Sequence, residues 1–393
     1  MTVAYLTGEY PRATDTFIQR EVAALRALGI EVATCTVRRT GPEHQTGPEQ
    51  RAEAGRTFAI LPALASPRGL LRAVATAARH PARFARAAAL AWRTSPGGLR
   101  ALAYQAIYLA EALTLAGHLR TIGASHIHNH IAQSAGTVAL LAAELTGLPF
   151  SFTLHGPDDF FATDRWALPE KIARARFVAC ISAFARSQAM LLSPEAAWPK
   201  LHIVHCGVEP GRYRPGPRTG TRLLFVGRLA AAKGLPVLLE AFEQALRTRP
   251  DLHLTLIGDG PDRAALEARA RGLPVTFTGA LSQGDVAEAL STADLFVLPS
   301  FAEGLPVVLM EALAAELPAV ATRIAGVAEL VEDGTSGRLV PPGDAPALTA
   351  AILELMGRSD RPSMGAAGRA KVEAEFTAAT EAARLAALFR GAP

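Results

Sequence analysis

The stretch LLFVGRLAAAKGLPVLLEAF, residues 223–242, shows how this chain folds. It opens with a short apolar run that predicts a buried strand, and a turn follows at Gly227 and Arg228. A helix is then expected to begin around Gly234. Arg228 and Lys233 would therefore emerge at the carboxyl end of a strand, where open α/β sheets bind their ligands.

The same alternation of short apolar runs with longer Ala/Leu/Arg segments continues along the chain. It is typical of parallel sheets covered by helices. The predicted strands lie near residues 2–8, 31–37, 125–131, 149–155, 176–182 and 201–205 in the first half, and near 222–228, 252–258, 274–278, 294–299 and 318–322 in the second. The sequence therefore predicts an α/β fold of two Rossmann-like, doubly wound parallel-sheet domains.

A Gly- and Pro-rich stretch, CGVEPGRYRPGPRTGTR at residues 206–222, separates the two sets of strands. A chain of 393 residues is too long for one ordinary core, so this stretch is the best candidate for a linker. We expect an N-terminal domain of residues 1–207 and a C-terminal domain of residues 208–370. The helical tail, at about 370–393, could pack on either domain, including back on the first.

The composition argues against several classes of protein. The net charge of +4 is mild, so we expect no nucleic-acid partner. Three widely separated cysteines, Cys35, Cys180 and Cys206, fit buried thiols in a reducing compartment. The N-terminal TVAYLTGEYP resembles a strand rather than a secretory signal, and no uncharged apolar run approaches the roughly 18 residues that span a bilayer. We therefore expect a cytoplasmic protein.

One segment is unusually basic. Residues 54–110 contain no acidic residue but eight arginines, which run from Arg56 to Arg100. Three of them, Arg79, Arg83 and Arg86, are predicted to share a helix face. A basic amphipathic surface can lie on anionic lipid, here at the inner face of the cytoplasmic membrane. The simpler interpretation is a solvated helix face whose arginine stems cover apolar surface.

Two glutamates bracket an apolar run in SFAEGLPVVLMEALA, residues 300–314. A helix is expected to begin just after Gly304 and Leu305, whose N–H groups can then donate to phosphate or hydroxyl oxygens. This helix is apolar nearly all round, so we expect it to be buried. Glu311 would lie inside it, where an ionised carboxylate needs hydrogen-bond donors. Vicinal ribose hydroxyls are suitable donors, and Glu303 is placed to hold the hydroxyls of a second sugar. These groups predict a site for a nucleotide-diphosphate sugar.

Two further strand-to-helix loops extend this predicted donor site. The stretch IGDGP contains Gly258, which lets a ligand approach the backbone closely. Leu281 follows the next strand, where a flat base could rest on the backbone. Gly227 belongs to the same site, and Arg228 and Lys233 are expected to meet the phosphates.

In the first half, candidate residues also follow predicted strands. His155 ends the strand near 149–155 and is followed by Asp158, so both are expected at the edge of a cleft. His130 lies near the carboxyl end of the strand at 125–131 and is expected to line the acceptor cleft.

The alternation of His126, His128 and His130 places them on one face of a strand and invites a zinc interpretation. No carboxylate or cysteine joins them at ligand spacing, so we expect no metal site.

Together these motifs resemble the retaining glycosyltransferases of the GT-B type, family 4 (glycosyltransferase group 1). The spacing of Glu303 and Glu311 is similar to the family's E-x7-E motif, FVGRLAAAKG resembles its Gly-Arg-Leu…Lys-Gly motif, and IGDGP its Gly-x-Gly-Pro loop. Further similarities are GVEPGRYRP at the linker and AGVAELVEDGTSGRLVPPGD at residues 325–344. The stretches TDTFIQREVAALRALGIEV and FTLHGPDDFF look most like the exopolysaccharide, colanic-acid branch.

The resemblance implies a GT-B fold, with two Rossmann-like domains facing across a cleft and the donor bound mainly by the second. It implies that Arg228 and Lys233 stabilise the leaving diphosphate. It also implies that Glu303 holds the donor sugar, Glu311 the ribose, and that His155 reaches the sugar near the reacting centre.

The implied reaction transfers a sugar with retention of configuration, without a metal or other cofactor. The acceptor would be a saccharide or lipid-linked saccharide in cell-surface or exopolysaccharide synthesis. In a front-face mechanism the leaving phosphate takes the acceptor proton, and the enzyme positions the reactants and stabilises the developing charge. The first loop departs from the family's frequent Gly-Gly pair; Gly8 is still expected near the diphosphate, but the loop's role toward the acceptor stays open.

Three other functions remain as alternatives. A sugar-nucleotide epimerase on a similar fold would need acid/base carboxylates at the sugar. A glycosidase would use Glu303 and Glu311 as a pair about 5–9.5 Å apart, which would not explain the two cations and the glycine loops. A non-catalytic nucleotide-sugar-binding protein would bind the donor without turnover. These motifs leave open the base (UDP or GDP), the donor sugar, the acceptor, the linkage and the oligomeric state.

Overall fold

The computed structural model of the chain describes residues 1–12, 15–44 and 47–391. These residues divide into two compact units, Met1–His205 with Glu381–Pro393, and Cys206–Thr380. The chain thus leaves the first unit two residues before the predicted boundary and returns at residue 381 rather than near 370. The return is fixed by Glu381, whose Oε2 accepts a hydrogen bond from His205 N at 2.8 Å.

The first unit contains a parallel sheet of seven strands. They are β1 (Thr2–Glu9), β2 (Glu31–Arg38), β3 (Phe58–Ala59), β4 (His126–His130), β5 (Phe150–Leu154), β6 (Phe177–Cys180) and β7 (Leu201–Ile203). Their spatial order is β3-β2-β1-β4-β5-β6-β7, and Val3 of β1 lies opposite both Val32 and His126. The order reverses between β1 and β4, as in doubly wound sheets.

Ten helices of the first unit precede the linker in the described ranges. They are α1 (Thr16–Ala27), α2 (Pro48–Arg56), α3 (Ile60–Leu64), α4 (Pro67–Arg79), α5 (Pro81–Arg93), α6 (Leu99–Thr121), α7 (Ser134–Thr146), α8 (Pro157–Phe160), α9 (Leu168–Arg174) and α10 (Ala183–Leu191). The prediction that Arg79, Arg83 and Arg86 share a helix face is wrong. Pro81 opens a new helix, because proline fits the first turn but not a helix interior, and this leaves Arg79 on α4.

The second unit contains a parallel sheet of six strands. They are β8 (Arg222–Val226), β9 (His253–Ile257), β10 (Val275–Gly279), β11 (Leu295–Leu298), β12 (Ala319–Thr322) and β13 (Gly337–Val340), in the order β10-β9-β8-β11-β12-β13. Its helices are α11 (Leu235–Leu246), α12 (Arg263–Arg269), α13 (Gln283–Thr292), α14 (Val307–Ala314), α15 (Val327–Leu330), α16 (Ala345–Gly357) and α17 (Arg361–Glu375).

The last helix, α18 (Ala378–Arg390), packs on the first sheet. Phe389 is buried, and its ring centre lies 6.3 Å from that of Tyr5 and 5.5 Å from that of Phe177. Aromatic rings at such separations pack favourably, so this contact helps to hold the end of the chain on the first unit.

The predicted α/β class with two parallel sheets is confirmed, and every predicted strand is present. The sequence analysis missed β3 and β13. The first has two residues, and the second, GRLV, begins with a glycine and is followed by two prolines, residues that are typical of loops. Among the described helices, none combines the length and the apolar composition needed to cross a bilayer.

The close contact at Gly258 yields a prediction about the second unit. Its φ is +134°, and a Cβ there would lie 1.9 Å from Gly227 O. Gly272 also has a positive φ, +83°, but a Cβ there meets nothing within 4 Å. Gly258→Ala should therefore lower the free energy of unfolding by about 2 kcal/mol more than Gly272→Ala, as measured by urea unfolding followed by circular dichroism. Equal losses would contradict the steric argument.

Candidate functional site

The sheet of the second unit reverses its strand order between β8 and β11. From β8 the chain continues to β9 on one side, and from β11 it continues to β12 on the other. The two loops leave the sheet in opposite directions and open a crevice at its carboxyl edge, which is the usual ligand position in such sheets. Arg228 and Lys233 lie in the loop after β8, and Glu303 lies in the loop after β11.

A salt bridge joins these two loops. Lys233 Nζ lies 2.6 Å from Glu303 Oε1. The lysine side chain is 25% exposed and the glutamate side chain 8%, so the cation is the more accessible partner. An ammonium group has three N–H donors, and Lys233 therefore keeps donors for an anionic ligand after binding Glu303.

Buried hydroxyl groups hold the carboxylate from behind. Ser300 Oγ donates to Glu303 Oε1 at 2.6 Å, and Thr322 Oγ1 donates to the carbonyl oxygen of Ser300 at 2.6 Å. Both hydroxyl-bearing residues are buried. The position of Glu303 is thus set by the end of β12 as well as by Lys233.

The backbone also ties the two loops together. Phe301 N donates to Ala232 O at 2.8 Å, immediately before Lys233. Gly234 follows with a φ of +63°, and a Cβ there would lie 2.1 Å from Pro299 O. Only glycine fits this position, so the approach of the two loops is built into the sequence.

The two loops joined by the salt bridge also carry other hydrogen-bond donors for an anion. Arg228 is exposed, and its guanidinium forms no ion pair with any described residue. Helix α14 begins at Val307, so Gly304 and Leu305 lie just before it. Their N–H groups have no hydrogen-bond partner within the described part of the chain. These cations and amide groups suit a phosphate ligand.

Two other predicted donor-site residues lie where a ligand can reach them. Glu311 lies in the second turn of α14, and the sequence predicted a carboxylate buried on all sides. The structure corrects this: Glu311 is half-buried, because Val307 and Val308 on its side of the helix are partly exposed as well. Leu281, in the loop after β10, is 40% exposed.

The glycines after β8 and β9 bring the two loops into contact. Gly227 N donates to Ile257 O at 2.9 Å, and Gly258 N donates to Gly279 O at 2.9 Å. With Gly258 close against Gly227, backbone rather than side chains forms this part of the carboxyl edge. A ligand can therefore approach the main chain directly.

In the first unit a chain of hydrogen bonds runs inward from His155. His155 Nε2 lies 2.9 Å from His130 Nδ1, and His130 Nε2 lies 3.0 Å from Glu21 Oε1. The Tyr5 hydroxyl donates to the same carboxylate oxygen at 2.8 Å. The prediction that His130 lines the acceptor cleft is wrong, since its side chain is fully buried. It supports His155 from behind instead.

The charge state of these histidines follows from their burial. Burial and the adjacent His130 lower the pKa of His155 well below the usual histidine value. Burial, aided by Arg176, lowers the pKa of His126 to about 3, and burial with the neighbouring histidines lowers that of His128 well below its usual value. The imidazole of His155 is therefore neutral at neutral pH.

One group of side chains has the separations of a metal site. Ligand atoms of Glu21, His128 and His130 lie within 4.8 Å of one another. Zinc was not expected here because no carboxylate lies near the histidines in the sequence. That reason is wrong, because Glu21 of α1 brings a carboxylate to His128 and His130. Both nitrogens of His128 are nevertheless hydrogen-bonded to hydroxyl groups of β5, and those of His130 to His155 and Glu21. The group fits a hydrogen-bonded network better than a metal ion.

Asp158 was predicted to lie at the edge of a cleft, whereas its neighbour Asp159 was not predicted as a site residue. Asp159 is buried; its Oδ2 accepts from His155 N and its Oδ1 from Ala132 N, both at 2.8 Å. Burial raises the pKa of this carboxyl to about 6. Asp158 is exposed. Asp159 therefore holds the backbone of His155 in place, while Asp158 is free to face solvent or a ligand.

A cavity of about 400 Å³ lies at the switch point of the first sheet. Gly8, in the segment ending β1, and Ile131, directly after β4, both line it, together with Arg12 and Arg38. This size suits a small ligand. Gly8 thus borders a ligand-sized cavity of the first unit.

Comparison with known proteins bears on the second unit. The family model described as Glycosyl transferases group 1 matches residues 220–358, which include Lys233, Glu303 and Glu311. Residues 220–358 form a glycosyl transferases group 1 domain. This domain contains the whole of the second sheet, from β8 to β13.

Curated relatives of the chain include two bacterial proteins. The amylovoran biosynthesis glycosyltransferase AmsK of Erwinia amylovora is 38% identical over 192 residues, which cover 45% of this chain and 47% of AmsK. The putative colanic acid biosynthesis glycosyltransferase WcaL of Escherichia coli K12 is 35% identical over 194 residues, covering 45% and 48%. The chain spans about half the length of these relatives. The resemblance to the exopolysaccharide and colanic-acid branch is confirmed.

Solved structures extend the likeness to the whole chain. Anabaena Alr3699/HepE, solved in complex with UDP, has a TM-score of 0.74 at 16% identity, covering 99% of this chain and 100% of its own. A sucrose-phosphate synthase from Thermosynechococcus elongatus has a TM-score of 0.73 at 19% identity, covering 99% and 98%. At such identities the likeness shows the fold alone, and it confirms the predicted GT-B fold class.

The salt bridge yields a prediction for stability. Lys233→Met would leave the Glu303 carboxylate buried against a hydroxyl donor alone and should lower the free energy of unfolding by about 1–3 kcal/mol. The double variant Lys233→Met/Glu303→Leu should recover part of this loss, because both charges are then gone. Urea unfolding of the unmodified protein, of Lys233→Met, of Glu303→Leu and of the double variant measures the coupling, and strictly additive losses would contradict a direct interaction.

The histidine chain yields a prediction about protonation. With Glu21 ionised, Tyr5 and His130 Nε2 donate to it, so His130 Nδ1 must accept the Nε2 proton of His155. Nitrogen-15 NMR should therefore show His155 neutral, with Nε2 as the protonated nitrogen in both imidazole rings. Glu21→Gln should change these tautomer populations, and Glu49→Gln, at an exposed glutamate of α2, should not. A proton on Nδ1 of His155 in the unmodified protein would contradict this arrangement.

Proposed function

We propose that this protein is a retaining glycosyltransferase that moves a sugar from a nucleotide-diphosphate sugar to a saccharide or lipid-linked saccharide in cell-surface or exopolysaccharide synthesis. The observation that carries the proposal is the Lys233–Glu303 salt bridge at the switch point of a glycosyl transferases group 1 domain. It places a cation and a carboxylate side by side where a doubly wound sheet binds its ligand. A charged diphosphate joined to a hydroxyl-rich sugar needs this combination.

In this proposal the donor lies along the carboxyl edge of the second sheet. The diphosphate meets Arg228, Lys233 and the N–H groups before α14. Glu303 Oε1 is already bonded to Lys233 and Ser300, so its other oxygen, Oε2, accepts from hydroxyls of the donor sugar. Glu311 accepts from the ribose hydroxyls, and the base rests near Leu281.

The proposed reaction proceeds on one face of the sugar. The bond between the anomeric carbon and the β-phosphate oxygen breaks, and the acceptor oxygen forms its bond to the same carbon. The departing phosphate takes the acceptor proton, so no nucleophilic side chain is required. Lys233 and Arg228 stabilise the charge that develops on the diphosphate, and we propose that no metal or other cofactor is needed.

His155 is proposed to act as a neutral partner of the donor sugar. Because its Nε2 proton is directed to His130, its Nδ1 is an acceptor rather than a donor. A hydrogen bond between a sugar hydroxyl and the imidazole of His155 would orient the sugar ring for attack. Asp159 supports this role by holding the backbone N–H of His155.

A panel of UDP- and GDP-sugars tests the function and its alternatives. Thermal stabilisation by one donor separates a binder from a protein without this site. Nucleotide release that depends on an added saccharide acceptor supports transfer. Conversion of the donor to another sugar nucleotide without acceptor would support an epimerase, and binding without either reaction a non-catalytic protein.

Variants of the donor site should divide binding from turnover. Lys233→Ala should depress kcat more than donor affinity, because the cation stabilises charge that develops at the transition state. Glu311→Ala should mainly raise the donor KM. Arg271→Gln, an exposed arginine of the same unit outside this edge, is the matched control and should change neither. A weaker donor affinity with an unchanged kcat in Lys233→Ala would mean that Lys233 contributes uniform binding only.

We further propose that the basic segment contacts the inner face of the cytoplasmic membrane. Helix α4 exposes Leu70 by 56%, Leu71 by 69% and Val74 by 59%, next to exposed Arg68 and Arg72. Apolar side chains flanked by arginines suit the boundary of an anionic bilayer.

Part of the basic segment is used within the first unit instead. Arg86 pairs with Glu144 at 2.6 Å and Arg93 with Glu170 at 2.8 Å. The membrane proposal therefore rests on α4 and not on α5.

Vesicle flotation tests the membrane contact. The protein should float with vesicles containing 30% phosphatidylglycerol and not with pure phosphatidylcholine, as expected for basic contacts with anionic lipid. The double variant Leu71→Ser/Val74→Ser should lose the binding, whereas Leu191→Ser, at an exposed leucine of α10, should keep it. Flotation that is insensitive to the α4 changes would contradict this surface.

A further inference from the structure

A second cavity of the first unit, of about 420 Å³, lies beside α6. Among its lining residues, six carry aromatic, basic or amide side chains: Arg100, Tyr104, Gln105, Tyr108, Arg165 and Trp166. It shares Tyr104 and Tyr108 with the cavity at the switch point of the first sheet, so the two cavities border one another. A ligand at the carboxyl edge of this sheet can therefore extend across the two tyrosines.

The charge of this second cavity is positive. Arg100 and Arg165 are both exposed, and neither forms an ion pair with an acidic side chain of the described residues. The described residues that line the cavity include no aspartate or glutamate. Arg100 lies over the ring of Tyr104, at 5.8 Å, and Arg165 over that of Trp166, at 4.9 Å. The hydrogen bond and charge of Arg100 lower the pKa of Tyr104, and Arg165 contributes to the same shift. The cavity thus suits an anionic group.

The side-chain amide of Gln105, which lines this second cavity, has an oxygen that accepts no hydrogen bond from the described residues. Gln105 is 6% exposed, and its Nε2 donates to Thr94 O at 3.4 Å, which fixes the orientation of the amide. Its Oε1 is buried and has no hydrogen-bond partner among the described residues. An unpaired buried acceptor is unfavourable, so a ligand hydroxyl that donates to it would be stabilising.

We propose that this cavity binds an anionic saccharide, with a carboxylate or phosphate at Arg100 and Arg165 and a hydroxyl at Gln105. The aromatic rings of Tyr104, Tyr108 and Trp166 offer flat apolar faces on which the C–H groups of a sugar ring pack. Arginine matches carboxylate and phosphate geometry through paired N–H donors. The inference rests on the proposed function only in naming this saccharide the acceptor.

Three disaccharides that differ at one position test the binding. The probes are cellobiose, its uronic acid counterpart with a terminal glucuronic acid, and cellobiose 6′-phosphate, each titrated into the full chain and followed by calorimetry. At least one anionic probe should bind tenfold or more tightly than cellobiose, and the preference should shrink at high salt. The tighter of the two anions identifies a uronate or a phosphate as the natural group.

Variants assign the binding to the cavity. Arg100→Gln and Arg165→Gln should remove the preference for the anionic probe, and Gln105→Met should weaken all three probes alike. Arg271→Gln is the control and should leave every affinity unchanged. Equal affinity for cellobiose and both anions, or a preference that survives both arginine changes, would overturn the proposal. Circular dichroism confirms that each variant is folded before titration.

This titration contains no nucleotide-sugar donor and measures no turnover, so its result is independent of the proposed transferase reaction. A protein that binds the anionic disaccharide but fails the donor panel would retain this site and lose the transferase assignment. A protein that transfers sugar but binds only cellobiose would retain the function and lose this site.

Discussion

The salt bridge between Lys233 and Glu303 is the contact on which the account of the second unit depends. The two residues are far apart in sequence, yet their atoms lie 2.6 Å apart because β8 and β11 are neighbours whose following loops meet at the carboxyl edge. Gly234 allows the loops to approach, and Ser300 and Thr322 fix the carboxylate. The fold thus places a cation and a carboxylate together without a separate binding element.

The sheet of the first unit has a comparable reversal of strand order, but the side chains near it have different chemistry. This sheet reverses order at its first strand, and a cavity lies at that reversal. His155 directly follows β5, and His130 and Glu21 hold it through buried hydrogen bonds rather than through an ion pair in solvent. One sheet therefore carries exposed charge suited to phosphate, and the other carries a neutral, oriented imidazole.

Much of the fold was predictable because strands and helices leave local patterns. The apolar runs located the predicted strands, and the glycine- and proline-marked loops located Lys233 and Glu303 before their contact was known. The helix break before Pro81 could also be predicted, because proline does not fit a helix interior. The spacing of the arginines instead suggested one continuous helix face. Strand β13 was not predicted because its four residues begin with a glycine and precede two prolines, a composition typical of loops.

The parts that were not predictable depend on contacts between distant residues. Nothing in the sequence near His130 points to Glu21, which reaches this strand residue from helix α1. Burial separates Asp159 from Asp158, and burial is a property of the packed structure. The partial exposure of Glu311 likewise depends on which side of α14 the second unit covers, since its sequence is apolar all round.

Phosphorus-31 NMR of bound UDP and GDP shows whether the donor diphosphate lies at the Lys233–Glu303 salt bridge. If Lys233 meets the diphosphate, the β-phosphorus resonance of the bound nucleotide should differ between the unmodified protein and Lys233→Met, with a smaller change at the α-phosphorus. Arg271→Gln should give the spectrum of the unmodified protein. Identical spectra for Lys233→Met and the unmodified protein, or no binding of either nucleotide, would contradict the placement of the donor diphosphate at the salt bridge.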